Sequence, residues 1–162
     1  MLQATPERHV ALPGGNRPSQ TDLFVLTETA NGERVSIAVE GKVNESFGEP
    51  LSTWKQGWSN GKQERLAFLQ TKLGRSFPDT MRYQLIHRAG SAVLLAEQYH
   101  AKYAMMIVQS FSPTRKHFDD FAAFVSCFGA QSAIGTLVQL TKVGEIEVFA
   151  AWVQGDVAFL KQ

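Results

Sequence analysis

The chain has 162 residues, 44% hydrophobic and 19% charged, with a formal net charge of +1. That length fits one domain with a real core, and the balance is that of a soluble globular protein, not a disordered or fibrous one. A near-neutral chain excludes nucleic-acid binding driven by bulk basic charge, though not a local basic groove.

One cysteine, Cys127, cannot form an intramolecular disulfide. It lies in an apolar run between Phe121 and Phe128 and reads as a small buried residue rather than a reactive thiol. No apolar run approaches the roughly 20 residues needed to span a bilayer, and no signal peptide is visible. The expectation is a cytoplasmic protein without membrane association, with residues 1–162 forming one domain.

In chain order, residues 1–7 read as loose. Arg8 to Leu12 reads as a short strand stopped by Pro13, Gly14 and Gly15. Gly14-Gly15 is a turn, not a phosphate loop, because no Lys-Ser/Thr follows it. Asp22 to Thr27 and Val35 to Val43 read as paired strands around Ala30, Asn31 and Gly32. A three-residue loop opposes Leu23, Val25 and Thr27 to Val39, Ile37 and Val35. It opposes Asp22, Phe24 and Glu28 to Glu40, Ala38 and Arg34. This register separates apolar from functional residues and gives one opposite-charge cross-strand pair.

After a loop, Ser52 reads as the cap of a short helix carrying Trp54 and Trp58. Gly61 to Leu73 reads as a helix ended by Gly74. Asp79 reads as the cap of a long helix from Thr80 to about Lys102. Tyr103 to Phe111 is expected as a buried strand and His117 to Phe128 as a Phe-rich helix. Thr136 to Leu140 and Glu145 to Val153 are expected as a closing hairpin. The fold class is α/β: a mixed sheet flanked by helices, with a C-terminal αββ extension over about residues 113–162.

Glu40 and Lys42 carry the chemistry. Two apart on a strand, they emerge on the same face, where apolar groups would be usual. With Asp22 opposite Glu40, the set has two carboxylates and an ammonium at one strand end. That pattern suits a divalent metal and a charged oxygen, hence metal-dependent phosphodiester cleavage. The competing reading is a buried ion pair without catalysis.

Asp22, the hairpin, Glu40-Gly41-Lys42, the following helices and the strand around Met106 resemble the PD-(D/E)XK nuclease superfamily, the restriction-endonuclease-like fold. Ser19 to Leu23, Val39 to Lys42 and Arg82 to Arg88 look like an uncharacterised bacterial branch of it. The resemblance covers roughly residues 8–112 and implies an αβββαβ core acting on nucleic acid, most simply DNA. It implies Mg²⁺, with Mn²⁺ as an alternative, held by Asp22 and Glu40, with the Gly41 or Val39 carbonyl as a further ligand. Lys42 would orient water or stabilise negative charge, and Gln84 would support the site from a helix. Two alternatives stand beside this: a non-catalytic interaction module that keeps the fold, and a hydrolase of another phosphate ester.

Two departures accompany the resemblance. Thr21 stands before Asp22 where the family has proline, and the opening helix of the core is missing. A partner could supply that helix, the chain could be a shortened form, or Glu7 could take its acidic role. A sheet face left bare near Val10 and Leu12 would be covered by a second copy, giving a homodimer. His87 reads as structural or surface, and Glu45 as a cap or a solvated residue. Trp54 and Trp58 read as core packing. Lys55, Lys62, Arg65, Lys72 and Arg75 read as a solvated helix face or a phosphate-tracking stripe.

Overall fold

Three antiparallel strands open the chain: β1 (Gln3–Val10), β2 (Ser19–Glu28) and β3 (Arg34–Lys42). The structure, a computed structural model, describes residues 1–156, 158 and 159. The β2–β3 hairpin has the expected register, from Leu23 opposite Val39 to Glu28 opposite Arg34. The Thr29 amide donates to the Glu33 carbonyl at 2.9 Å, leaving Ala30, Asn31 and Gly32 as the loop. Gly32 has φ +79°, a left-handed conformation that a residue without Cβ adopts freely.

β1 is longer than the sequence suggests. Gln3 to Pro6, expected to be loose, pair with Leu26 to Leu23. β1 is an edge strand, and an edge tolerates Pro6, which has no N–H to donate.

The face expected for Asp22 is corrected. β1 and β2 both switch sides at the same level, where Glu7 has φ +48°. Pro6 opposite Leu23 and Arg8 opposite Thr21 bracket Glu7 and Asp22. Beyond the switch Thr21 and Ser19 take the inward positions, and Asp22 is exposed although Phe24 two residues on is fully buried. The Thr21 hydroxyl donates to the Val39 carbonyl at 3.0 Å and fixes this arrangement.

Four helices and three more strands follow. α1 (Leu51–Trp54) and α2 (Asn60–Leu73) precede α3 (Tyr83–Gln98), which leads into β4 (Tyr103–Ser110). α4 (Phe118–Ser126) and the hairpin of β5 (Leu137–Val143) and β6 (Ile146–Gln154) complete the fold. Ser59 caps α2 by accepting from the Lys62 amide, and Gly74 ends it at φ +63°. Ser52 does not cap α1, whose N-cap is Pro50. Asp79 does not cap α3 either. The backbone of 79–82 pairs with 49–52, delaying the helix to Tyr83, and the Asp79 carboxylate accepts from Lys55 at 2.6 Å.

The six strands form one mixed sheet in the order β1-β2-β3-β4-β6-β5. β3, β4 and β6 are parallel neighbours, and the other pairs are antiparallel. Inward residues such as Phe24, Ala38, Met106 and Trp152 meet Leu69, Leu85, Ile86 and Phe121 of the helices in one core. The opposite side chains of the central strands, including Val25, Ile37, Val39, Met105, Ile107 and Phe149, are only half-buried. The bare face is therefore not where the sequence suggests: Val10 and Leu12 belong to the buried core.

Gly14 and Gly61 bring the loop after β1 against the start of α2. A Cβ on Gly14 would overlap the Gly61 carbonyl oxygen, and Gly14 has φ +77°. A Cβ on Gly61 would lie 2.5 Å from the Gly14 oxygen. Gly14→Ala is expected to cost about 1–3 kcal/mol, measured by urea denaturation. An unchanged midpoint would show that the loop moves away freely.

Candidate functional site

Residues from β2, β3 and α3 converge where the parallel strands end. Glu40 and Lys42 lie on the inward side of β3 and are 4% and 6% exposed. α3 crosses that side and presents Gln84 and Arg88, four apart and thus on one helix face. Glu40 accepts from Gln84 Nε2 at 2.6 Å through Oε1 and from Arg88 Nε at 2.5 Å through Oε2. Lys42 Nζ lies 3.0 Å from the same Oε1. A buried carboxylate is costly unless it is paired and hydrogen-bonded, and here it is both.

Ser19 extends the network into β2. Its hydroxyl oxygen accepts from Arg88 Nη1 at 2.9 Å and lies 2.9 Å from His87 Nδ1. The hydroxyl hydrogen has no other acceptor among the described hydrogen bonds, so it points to Nδ1 and leaves the ring proton on Nε2. Burial first, and then the Arg88, Arg65 and Lys42 charges, push the His87 pKa down to about 3. His87 is a neutral part of the site wall, not a surface histidine.

Glu40, Lys42 and Gln84, singled out from the sequence, are brought together. Asp22 stands beside them but outside the network: its Oδ2 accepts from the Gly41 amide at 2.7 Å. Glu45 does not join the site. Although its partial burial works the other way, the amides of residues 43–45 hold its carboxyl below the usual range, and it accepts from the Val43 and Asn44 amides at 3.1 and 3.0 Å. Arg88 and Ser19 are the residues that sequence reasoning left without a role. Both lie at the ends of stretches that carry the resemblance, Ser19 to Leu23 and Arg82 to Arg88, and Arg88 shares a helix face with Gln84.

A cavity of about 470 Å³ opens above the network and is lined by Lys42, Gln84, His87 and Arg88 among others. Lys42 and Arg88 are balanced by Glu40 and by Glu49 on the cavity wall, so what suits the cavity to an anion is its convergent donors, Lys42, Gln84 and Arg88, rather than a net charge. The basic residues read as a solvated helix face or a phosphate-tracking stripe do not act as one set. Lys55 pairs with Asp79, Lys72 pairs with Glu97, and Arg75 lies over the Phe128 ring. Trp54 stacks on Tyr83 at a centroid distance of 4.0 Å and packs edge-on against Trp58, which is 43% exposed.

Among the described residues, no three His, Cys, Asp or Glu side chains are grouped to hold a metal ion. No helix among the described residues is long and apolar enough to cross a membrane. The sheet and this site define an α/β protein with a polar cavity over a buried, carboxylate-centred network at the ends of parallel strands. Residues 1–157 match the model of a domain of unknown function, DUF6946, and the chain belongs to that family. No curated protein and no solved structure matches it.

Burial of neutral His87 gives stability a pH dependence. Its folded pKa, about 3, lies below the ordinary histidine value of about 6.5, so the unfolded state binds more protons between those values. The contribution is present above pH 6.5 and is lost as pH falls toward the folded value. Between pH 7 and 5 the wild type should lose about 1–2 kcal/mol more than His87→Gln, allowing for the ring's contact with the cavity. Parallel losses in urea titrations at both pH values would place the histidine in water.

Proposed function

We propose that this protein is a metal-dependent phosphodiester hydrolase acting on nucleic acid, most simply a DNA endonuclease with a restriction-endonuclease-like core. One observation carries the reading: Glu40, Lys42 and Gln84 meet at the C-terminal end of β3, beneath a cavity that Lys42 and Gln84 line. The order β1, β2, β3, α3, β4, with β2 antiparallel and β4 parallel to β3, agrees with that core. Its opening helix has no counterpart among the described residues, since β1 starts at Gln3.

The donor set suits Mg²⁺ or Mn²⁺ in kind, since the Asp22 and Glu40 carboxylates and the Gly41 carbonyl are all hard oxygens. Asp22 is exposed and held by the Gly41 amide, whereas Glu40 points inward, so joint use of the two carboxylates requires Asp22 to give up that hydrogen bond and turn toward Glu40. Bound there, the ion would supply Lewis-acid charge and a more acidic water. Lys42 places a positive charge where negative charge develops on the phosphate. Gln84 and Arg88 hold Glu40 in one orientation. Cleavage of labelled DNA should need Mg²⁺ and fall at least about 100-fold in Asp22→Asn, Glu40→Gln and Lys42→Ala. Equal Mg²⁺ affinity by calorimetry in the wild type and both carboxamide variants would sink the metal site.

One observation favours a second reading, a non-catalytic module that keeps the fold. Both Glu40 oxygens are already engaged by Lys42, Gln84 and Arg88, and Asp22 is exposed. The same cavity chemistry would also serve a hydrolase of another phosphate ester.

The half-buried apolar side chains of the central strands support a homodimer that packs these faces together. Sedimentation at micromolar concentration should show a dimer, and Ile37→Asp should shift it to monomer. A wild-type monomer would refute the pairing.

A further inference from the structure

The cavity above Glu40 is the first of three adjoining hollows. It shares Ser19, Tyr83 and His87 with a narrow second one of about 110 Å³. The second shares Arg65 and Tyr83 with a third of about 290 Å³, lined also by Arg17, Trp54 and Lys62. The narrow middle suits a phosphate group but not a base pair.

Along this cleft Lys42 and Arg88 share Glu40, whereas Arg65, Lys62 and Arg17 have no carboxylate partner among the described residues. Arg65 donates to the carbonyls of Pro13 at 2.8 Å, Gly15 at 3.2 Å and Leu12 at 3.3 Å. Lys62 donates to the carbonyls of Trp54 at 2.6 Å and Gln56 at 2.8 Å. Carbonyls orient these cations but leave their full charge. Arg17 is exposed and makes no ion pair among the described residues. Lys42, Arg88, Arg65, Arg17 and Lys62 stand against the carboxylates of Glu40 and Glu49, so five cations against two anions leave a formal +3. The whole chain carries only +1.

We propose that the cleft binds a single strand of nucleic acid. Its phosphates lie along Arg17, Lys62 and Arg65 toward Lys42 and Arg88, and one base lies against the stacked Trp54 and Tyr83 rings. A run of cations, three of them without a carboxylate partner, beside an aromatic pair is the chemistry that holds single strands. The choice of a nucleic acid over another polyanion rests on the phosphodiester reading above.

The test is fluorescence anisotropy with a labelled oligonucleotide of about 12 nucleotides, single-stranded or as a duplex, with chelator present so that no cleavage occurs. The single strand should bind more tightly than the duplex. Arg17→Glu should weaken it about tenfold and make its salt dependence shallower by at least about one charge. Lys116→Glu makes the same change in net charge at an exposed position outside the cleft and should leave affinity within about twofold. Equal weakening by both variants, tighter duplex binding, or no wild-type binding at low salt would each overturn the proposal. Binding without Mg²⁺-dependent cleavage would leave the cleft standing and sink hydrolysis. Cleavage indifferent to Arg17→Glu would do the reverse.

Discussion

The Glu40 carboxylate is the tie on which this end of the molecule depends. It is 4% exposed and sits between Lys42 of its own strand and Gln84 and Arg88 of α3. Removing one partner of such a buried set strands the others, at a cost of several kcal/mol. The same contacts fix how α3 lies across the sheet, and Ser19 carries the tie into β2 through Arg88 and His87. Packing alone could not set that orientation so sharply, because apolar contacts are non-directional. The hydrogen bonds of a guanidinium and a carboxamide are directional.

The hairpin register was legible because two independent local constraints agree on it. Side-chain alternation separates Val39 from Glu40, and a glycine fits the left-handed loop position at residue 32. The face of Asp22 was not legible. It depends on a switch that β1 and β2 make together, and the left-handed residue there is Glu7, which no glycine signals. The start of α3 was misread for a related reason. Asp79 is a good cap by type, but pairing of its neighbouring backbone with residues 49–52 is a tertiary contact. Arg88 reaches Glu40 across 48 residues of sequence, and no local pattern encodes that distance.

Net charge concealed the electrostatics in the same way. A formal +1 for the chain describes no particular surface. Folding pairs Lys55, Lys72, Lys102 and Lys142 with carboxylates, and holds Lys62 and Arg65 on carbonyls instead. The second group keeps its field. The carbonyls that hold Arg65 belong to the loop that Gly14 presses against Gly61. Two glycines with no side-chain chemistry thus decide where a cation sits.

Charge balance then bears on the proposed chemistry. One carboxylate between Lys42 and Arg88 leaves the buried network itself formally positive before anything binds, with Glu49 offsetting it only from the cavity wall. Bringing a divalent cation alone to Glu40 would add like charge to a buried, low-dielectric place, where such repulsion is strong. A phosphate group in the cavity reverses that sign, and the hydrolase reading adds Asp22 as a second carboxylate once it leaves the Gly41 amide. Under the hydrolase reading, metal and substrate therefore stabilise each other's binding, because each supplies the charge that the other lacks. Under the binding-module reading, the phosphate alone satisfies the site and Asp22 remains a partner of the Gly41 amide. Both readings require the anion. They part on whether Asp22 exchanges a backbone hydrogen bond for a metal ion.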